Sequence, residues 1–328
     1  MAPAVTSYLL RRVAQAVVVL WLVWTLIFVI YFVVPHDPAR LILGFRAPEW
    51  RVERLRISLG LERPIWLQYL AYFTRIFHGD LGQSFVVGAP VTSVIARDIP
   101  VDLELGLPAA VVWLALGVGI GILSARRPGS IRARGATIFI FSLVSTPAFV
   151  LGGALLFLTD NVLSSHGIHV FPFPGTWTPL HVNPLAWADN LALPWLTLAL
   201  ISSAVYARLS RSSLTDALQE DYVRTARAKG LSERRVLYRH ALRASLTPLV
   251  SQFGVDLATV LGGVVVVEVV FGIPGLGHQL ITAVDTEDLP MIQGIALLTS
   301  AFVVTANLLV DVLYGVIDPR VRIASTRV

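Results

Sequence analysis

Residues 13–34 read Val-Ala-Gln-Ala-Val-Val-Val-Leu-Trp-Leu-Val-Trp-Thr-Leu-Ile-Phe-Val-Ile-Tyr-Phe-Val-Val, with only Gln15, Thr25 and the indole and phenol tips to break the apolar run. An α-helix rises about 1.5 Å per residue, so 22 residues cover the roughly 30 Å hydrocarbon core of a bilayer. Arg11 and Arg12 stand in front of the run. Arg11 and Arg12 would suit a signal peptide, but the apolar stretch is longer than the usual h-region and no small-residue cleavage site follows it. The segment reads as an uncleaved anchor with its N-terminus in the cytoplasm.

Composition extends this reading to the whole chain. Of 328 residues, 55% are hydrophobic and 14% charged, and the mean hydropathy is +0.71; these values describe one membrane domain rather than two soluble ones. Five more apolar runs follow, at Val101–Leu123, Ala136–Thr159, Leu191–Tyr206, Leu246–Phe271 and Met291–Ile317. The expected fold is therefore an all-α integral membrane protein with six transmembrane helices. The fourth run is short and borrows flanking residues, while Asp102, Glu104 and Pro108 mark the entrance of the second.

The loops set the orientation. Arg126–Arg134 holds four arginines and no acid, whereas Asp160–Asn190 and Gly272–Pro290 hold neither Lys nor Arg. Under the positive-inside rule both termini, Arg126–Arg134 and residues 208–243 are cytoplasmic, and the tail arginines Arg320, Arg322 and Arg327 agree. Residues 35–98 then form an external cap on the periplasmic side. The cap contains amphipathic pieces at Trp50–Leu59 and Pro64–Phe77, parted by Leu59-Gly60-Leu61. This gives four regions: 1–34 as cytoplasmic N-terminus and first span, 35–98 as cap, 99–318 as the membrane core, and 319–328 as a cytoplasmic tail.

Several chemistries are excluded. The chain has no cysteine, hence no disulfide, thiolate metal site or Cys nucleophile. The net charge of +5 sits beside apolar spans, where topology and anionic lipid account for it and nucleic acid is not needed. Lys229 is the single lysine and precedes Gly230 instead of following a glycine, so no phosphate-binding G-x-x-x-x-G-K-[ST] loop exists. Intramembrane proteolysis lacks an H-E-x-x-H motif, and the Ser84 of Gly82-Gln83-Ser84 has no placed base.

One cytoplasmic loop, 214–243, is charged and yet helical in pattern. Leu218, Tyr222, Val223 and Ala226 fall at helical spacing, so one stripe packs on the membrane domain while Glu220, Arg224 and Arg227 project elsewhere. Gly230 ends this helix, with Lys229 at the negative end of its dipole. Ser232 and Glu233 begin a second short helix whose apolar positions are Val236, Leu237 and Ala241. Two short helices hinged at a glycine suit docking into a partner; a basic loop that merely satisfies topology is the plainer alternative.

Asp221–Gly230 with Leu231-Ser232-Glu233 and His240-Ala241-Leu242-Arg243 resembles the EAA loop of ATP-binding-cassette (ABC) importer permeases, in the form found in dipeptide and oligopeptide permeases of the DppB/OppB type. Arg224-Thr225-Ala226 stand where the wider pattern has Glu-Ala-Ala, and Arg243 where it has proline. The likeness extends through Leu9–Arg12, Pro35-His36-Asp37-Pro38, Leu59–Pro64, Gly79-Asp80-Leu81-Gly82, Ala207-Arg208-Leu209, Val267–Phe271, Pro274-Gly275-Leu276-Gly277 and Asp318-Pro319-Arg320. His36 and Asp256 depart from that pattern.

The resemblance implies the type I importer permease fold and a transport subunit that is not itself an enzyme. It implies a second homologous permease, two cytoplasmic ATP-binding subunits that hold ATP and Mg, and an external substrate-binding protein, all at a bacterial cytoplasmic (inner) membrane. No cofactor is expected on this chain. The implied ATPase-coupling residues are Glu220, Asp221, Tyr222, Arg224, Thr225, Ala226, Arg227, Lys229, Gly230, Leu231 and His240. Nickel permeases are close relatives in the same family, so the solute stays open between peptide and nickel.

Charged groups within spans are costly away from partners. Asp256 and Glu268, with Asn307, are candidates for the pathway or a gate; the other reading of Glu268 is a structurally paired charge near the interface. Asp311 and Asp318 are expected to pair with Arg208 or Arg320. His166, His169 and His181 lack a fixed carboxylate or thiolate partner and read as loop histidines. An ion-coupled secondary transporter would also carry charges within spans, but no inverted repeat is visible and the charged loop would have no role.

Overall fold

Several helices here break where proline or glycine removes the hydrogen bond or supplies the dihedral that ends a helix, as at Gly60 and Pro147. The computed structural model describes residues 2–33, 38–44, 47–126, 129–168, 171–172, 174–261 and 264–317. Their side chains and backbone form an all-α membrane protein; the one extended pairing among the described residues is an isolated bridge between Gln83 and Pro90. Four helical stretches among these residues are long and apolar enough to cross a bilayer: Leu10–Val33, Val91–Arg126, Pro184–Gln219 and Leu289–Leu309. A fifth results if Val265–Phe271 and Leu276–Asp285 count as one broken crossing. The described residues fall into two units, those of Met1–Asp102, Leu261–Val265 and Gly275–Val328, and those of Leu103–Val260 and Val266–Pro274.

In the first unit α1 (Ala2–Phe28) continues as a π-helical turn at Val29–Val33. It exposes Val17, Val18, Trp21, Leu22 and Leu26, an apolar face suited to lipid rather than water. Three cap helices follow: α2 (Pro38–Leu43), α3 (Glu49–Leu59) and α4 (Ile65–Phe77). Gly60 closes α3 at φ 67°, and Leu61 N donates to Arg56 O at 3.0 Å; this left-handed cap is the break expected at Leu59-Gly60-Leu61. The Tyr72 hydroxyl of α4 donates to Trp24 O of α1 at 3.2 Å, and Tyr72, Phe28, Ile27 and Leu297 share one buried cluster.

The helix α5 (Val91–Arg126) begins within the last residues of the 35–98 segment. The segment 272–290, read from sequence as a loop without Lys or Arg, contains α13 (Leu276–Asp285), with Leu276 and Ala283 buried beside Val91, Ile95, Met291 and Ile295. Two buried carboxylates hold this region. Asp102 Oδ1 accepts from Leu276 N at 3.1 Å, and Asp288 accepts from the Ser84 hydroxyl. Ser84 is thus buried against a carboxylate. The last helix of this unit is α14 (Leu289–Ile317), tied to α1 by Trp24 Nε1, which donates to Ser300 Oγ at 3.1 Å.

In the second unit the third apolar run is divided. Its helices are α6 (Ile131–Val144) and α7 (Ala148–Leu156), the latter continued as a π-helical segment at Phe157–Leu163. Pro147 has no N–H and biases Thr146 away from helical dihedrals, so the chain breaks at 145–147. The fourth run, short in sequence, belongs to the 36-residue α8 (Pro184–Gln219). Asn183 caps α8, its Oδ1 accepting from Leu185 N and Ala186 N, and Pro184 fills the first turn. The fifth run is carried by α11 (Leu242–Leu261) and α12 (Val265–Phe271).

Helices α5 and α8 approach to backbone contact. A Cβ on Gly117 would lie 2.4 Å from Tyr206 Cβ and 3.0 Å from Ser203 O, and one on Gly121 would lie 2.5 Å from Ser210 Cβ. Small residues at such a crossing replace the hydrophobic drive that lipid cannot supply. Arg211 adds a polar tie, donating to Thr137 Oγ1 of α6 at 2.8 Å.

Candidate functional site

The charged loop begins where α8 stops at Gln219. Glu220 turns to extended geometry (φ −66°, ψ 148°) and starts α9 (Asp221–Ala228). Two turns later Lys229 N donates to Thr225 O at 3.0 Å and Gly230 N to Arg227 O at 2.9 Å. Gly230 then takes φ 74°, and Leu231 N reaches back to Ala226 O at 3.3 Å. A left-handed residue is needed to close this turn, and glycine adopts it without strain. A Cβ placed on Gly230 would meet nothing within 4 Å in this chain, so conformation, not internal crowding, selects the glycine. Ser232 occupies the next N-cap position, with no side-chain cap bond, before α10 (Glu233–Arg235) and the π-helical Val236–Ala241 that runs into α11.

The two short helices are folded onto α8. Leu214 and Ala217 of α8 are buried with Val223 and Ala226 of α9 and with Val236, Leu237 and Ala241. Ile122, Ala125, Leu218, Leu231 and Leu242 surround them. The apolar stripe expected at Leu218, Val223 and Ala226 is therefore present, but Tyr222 is not part of it: it is 43% exposed. Position 222 lies in the first turn of α9, at the edge of the face centred on the buried 223 and 226, so its ring is only partly covered.

The opposite face is polar and open. Glu220, Asp221, Arg224, Thr225, Arg227 and Lys229 are exposed; Leu231 and His240 are half-buried. Arg227 reaches across the glycine turn, Nε donating to Glu233 Oε1 at 2.8 Å and Nη2 to Oε2 at 3.3 Å. That paired hydrogen bond holds the Glu233 carboxyl below the usual glutamate range. Arg224 pairs with Asp221 one turn earlier at 3.4 Å. Burial, with the nearby Glu220 charge, pushes the Tyr222 phenol up. Tyr238, 46% exposed, with Arg234, Arg235 and Arg239 also open to solvent, adds a second aromatic and more charge to this face. The helical period from Val236 would have placed them outward, but the family motif does not include them.

Two family models cover the chain. Residues 117–323 match the binding-protein-dependent transport system inner membrane component, and residues 5–106 match its N-terminal companion. The chain belongs to this transport-system family. It is a permease subunit, not an enzyme, and a multi-pass protein of the bacterial inner membrane. A Brucella abortus protein described as a peptide transport system permease is 38% identical over 97% of this chain and 99% of its own length. The Escherichia coli K12 dipeptide transport system permease protein DppB is 35% identical over 96% of this chain and 98% of its own. A crystal structure described as an amino acid ABC transporter with histidines aligns at TM-score 0.49 and 19% identity, covering 70% of this chain and 94% of that one.

Within this permease the three intramembrane candidates have distinct settings. Asp256 on α11 is held by Tyr206 of α8, whose hydroxyl donates to Oδ2 at 2.9 Å, and by Gln252 Nε2, which donates to Oδ1 at 2.8 Å. Glu268 on α12 is fully buried. Asn307 on α14 is exposed. Glu104 of α5, read as an entrance marker, accepts from Trp187 Nε1 at 2.9 Å, and its carbonyl accepts from Trp195 Nε1 at 3.0 Å. His166 Nδ1 lies 2.7 Å from Val162 O. His36, His169, Asp318, Arg320, Arg322, Arg327 and the side chain of Asp311 lie outside the described residues.

Proposed function

We propose that this permease forms half of the translocation pathway of an ATP-driven importer of di- and oligopeptides, and that residues 214–243 couple it to cytoplasmic ATPases. In this reading the chain crosses six times, with α6 and α7 as one crossing and α11 and α12 as another. Both termini are cytoplasmic, 35–98 is the periplasmic cap, 99–318 the core and 319–328 the tail. Its partners are a second homologous permease, two ATP-binding subunits carrying ATP and Mg, and an external binding protein.

The observation that carries the proposal is the α9–α10 hairpin: its apolar side is packed on α8 while its polar side stays open to solvent. A partner that grips Glu220, Asp221, Tyr222, Arg224, Thr225, Arg227, Lys229 and Gly230 thereby grips the end of a transmembrane helix, with buried Ala226 and half-buried Leu231 and His240 as its footing. ATP drives transport only if it favours one access state over the other, since equal binding shifts nothing. Relatives described as peptide and dipeptide permeases support the substrate class.

Asp256, Glu268 and Asn307 are assigned to the pathway or its gate in the same proposal. The test is co-purification of the neighbouring subunits followed by uptake of labelled dipeptide against labelled nickel. Peptide uptake that depends on ATP is the expected result. Nickel uptake alone would reassign the solute, and uptake driven by an ion gradient without ATPases would sink the reading.

A further inference from the structure

Two adjoining cavities open in the first unit between the end of α1, α3, α4 and the start of α14. The larger, about 440 Å³, is lined by Tyr31, Phe32, Arg75, Asp80, Phe85 and Gln293 among others. The smaller, about 190 Å³, is lined by Arg63 and Gln68 and shares Phe32 and Arg75 with the first. Arg75 therefore stands at the junction. The smaller cavity has two guanidinium side chains and no carboxylate in its lining. The larger one adds a single carboxylate, Asp80, whose Oδ1 accepts from Gly82 N at 2.9 Å.

Among the described residues neither Arg63 nor Arg75 forms an ion pair, and Asp80 pairs with neither of them. A cation-rich lobe and an acid-bearing lobe thus meet at Phe32 and Arg75 while the charges of Arg63, Arg75 and Asp80 stay unneutralised by each other. Pockets of about 300–1,000 Å³ suit small organic ligands, and charge-assisted hydrogen bonds at both ends fix the orientation of a ligand that bears both charges.

We propose that this cavity is an accessory site for a short zwitterionic peptide, lying where the cap helices meet the ends of α1 and α14. The peptide carboxylate meets Arg75 and Arg63, where no acid competes, and its ammonium group meets Asp80. Side chains lie against Phe32 and Phe85. A zwitterionic phospholipid offers the same two charges, but the half-buried Tyr31 and Gln293 and the exposed Gln83 in the lining suit the amide of a peptide better than acyl chains. The proposal rests on the peptide-importer reading for its ligand class.

The test uses the assembled importer in lipid nanodiscs without the external binding protein. A dipeptide bearing a photoreactive benzophenone is crosslinked, and the labelled residues are mapped by mass spectrometry. Labelling within 72–85 or 289–297 is expected, with displacement by alanyl-alanine. N-acetyl-alanyl-alanine and alanyl-alaninamide should each compete about tenfold less well, as loss of one charge-assisted bond predicts. Arg75→Gln should erase the preference for the free carboxylate only, and Asp80→Asn that for the free amine only. Arg75→Lys, which keeps the charge, should retain the carboxylate preference and so separates a lost ligand contact from a lost fold.

Labelling confined to other regions, or the same discrimination in all variants, overturns the site. Phosphatidylethanolamine that co-purifies with the parent and is lost in Arg75→Gln would assign the cavity to lipid instead. Cellular uptake of labelled alanyl-alanine is measured separately. Normal uptake without cap labelling removes this site and leaves the importer, whereas cap labelling without any uptake removes the importer and leaves a peptide site.

Discussion

Arg227 spans the glycine turn to hold Glu233 with two hydrogen bonds, 2.8 and 3.3 Å long, so the two short helices of the loop are clasped on their solvent side as well as packed on their apolar side. Exposed ion pairs contribute little to global stability. Arg227→Ala is therefore expected to leave thermal unfolding unchanged while amide exchange at 229–232 speeds up and uptake per ATP hydrolysed falls. Calorimetry, hydrogen exchange and paired transport and hydrolysis assays check the three parts; unaltered exchange would remove the clasp.

Acid should open the same clasp. The hydrogen bonds from Arg227 lower the Glu233 pKa from its ordinary 4.5, so the folded value lies below the unfolded one. Such a group stabilises the loop above the unfolded value, and the contribution fades as pH falls through the folded value. Protection at 229–232 should persist down through pH 4.5 and fade below it. In Glu233→Gln this pH dependence should vanish.

Gly230 has φ 74° with open space around its α-carbon. Leucine there is expected to strain the turn by about 1–2 kcal/mol, leaving membrane insertion intact and separating ATP hydrolysis from uptake. Asparagine tolerates the left-handed region better and should couple more fully than leucine. Equal loss in both variants would show that a partner's close approach, not the dihedral, selects glycine.

At Gly117 the constraint is spatial. Gly117→Ala puts a methyl 3.0 Å from the Ser203 carbonyl and 2.4 Å from Tyr206 Cβ, and such overpacking costs about 1–3 kcal/mol. Gly119 faces nothing within 4 Å, so Gly119→Ala is the neutral control. Thermal unfolding in detergent compares them.

Tyr206→Phe removes one of two donors to Asp256. A stability loss of about 1–3 kcal/mol is expected from the under-satisfied carboxylate. Asp256→Asn should restore part of it in the double variant if the role is structural. A transport defect that survives this restoration places Asp256 in the pathway.

Much of this architecture could be read from residue order alone, because lipid punishes polar interruptions severely enough to leave a clear record. Residues 13–34 needed no other information. The loop was legible too: Gly230, Val236, Leu237 and Ala241 follow local rules of capping and period. What escaped were features set by one residue or by distant partners. Pro147 splits an apolar run that hydropathy treats as continuous, and α13 is only ten residues long and carries no Lys or Arg to give it away. The acids Asp102 and Asp288 bind backbone or hydroxyl groups 174 and 204 positions away in sequence, a relation that no local pattern encodes. Tyr222 shows the limit at the site itself, since a residue at the edge of a helical stripe satisfies the period and still stays largely exposed.

Helix α8 is 36 residues long, about 54 Å at 1.5 Å per residue, well beyond the thickness of the oily layer. Its far end is fixed by the Asn183 cap, its near end is fused to the α9–α10 hairpin, and Pro194, the proline within it, lies near the capped end. The stretch from 195 to 219 therefore offers no soft joint. In the proposed coupling, a stroke applied at Arg227 or Lys229 has little slack in which to be lost before it reaches the buried Tyr206 and its partner Asp256.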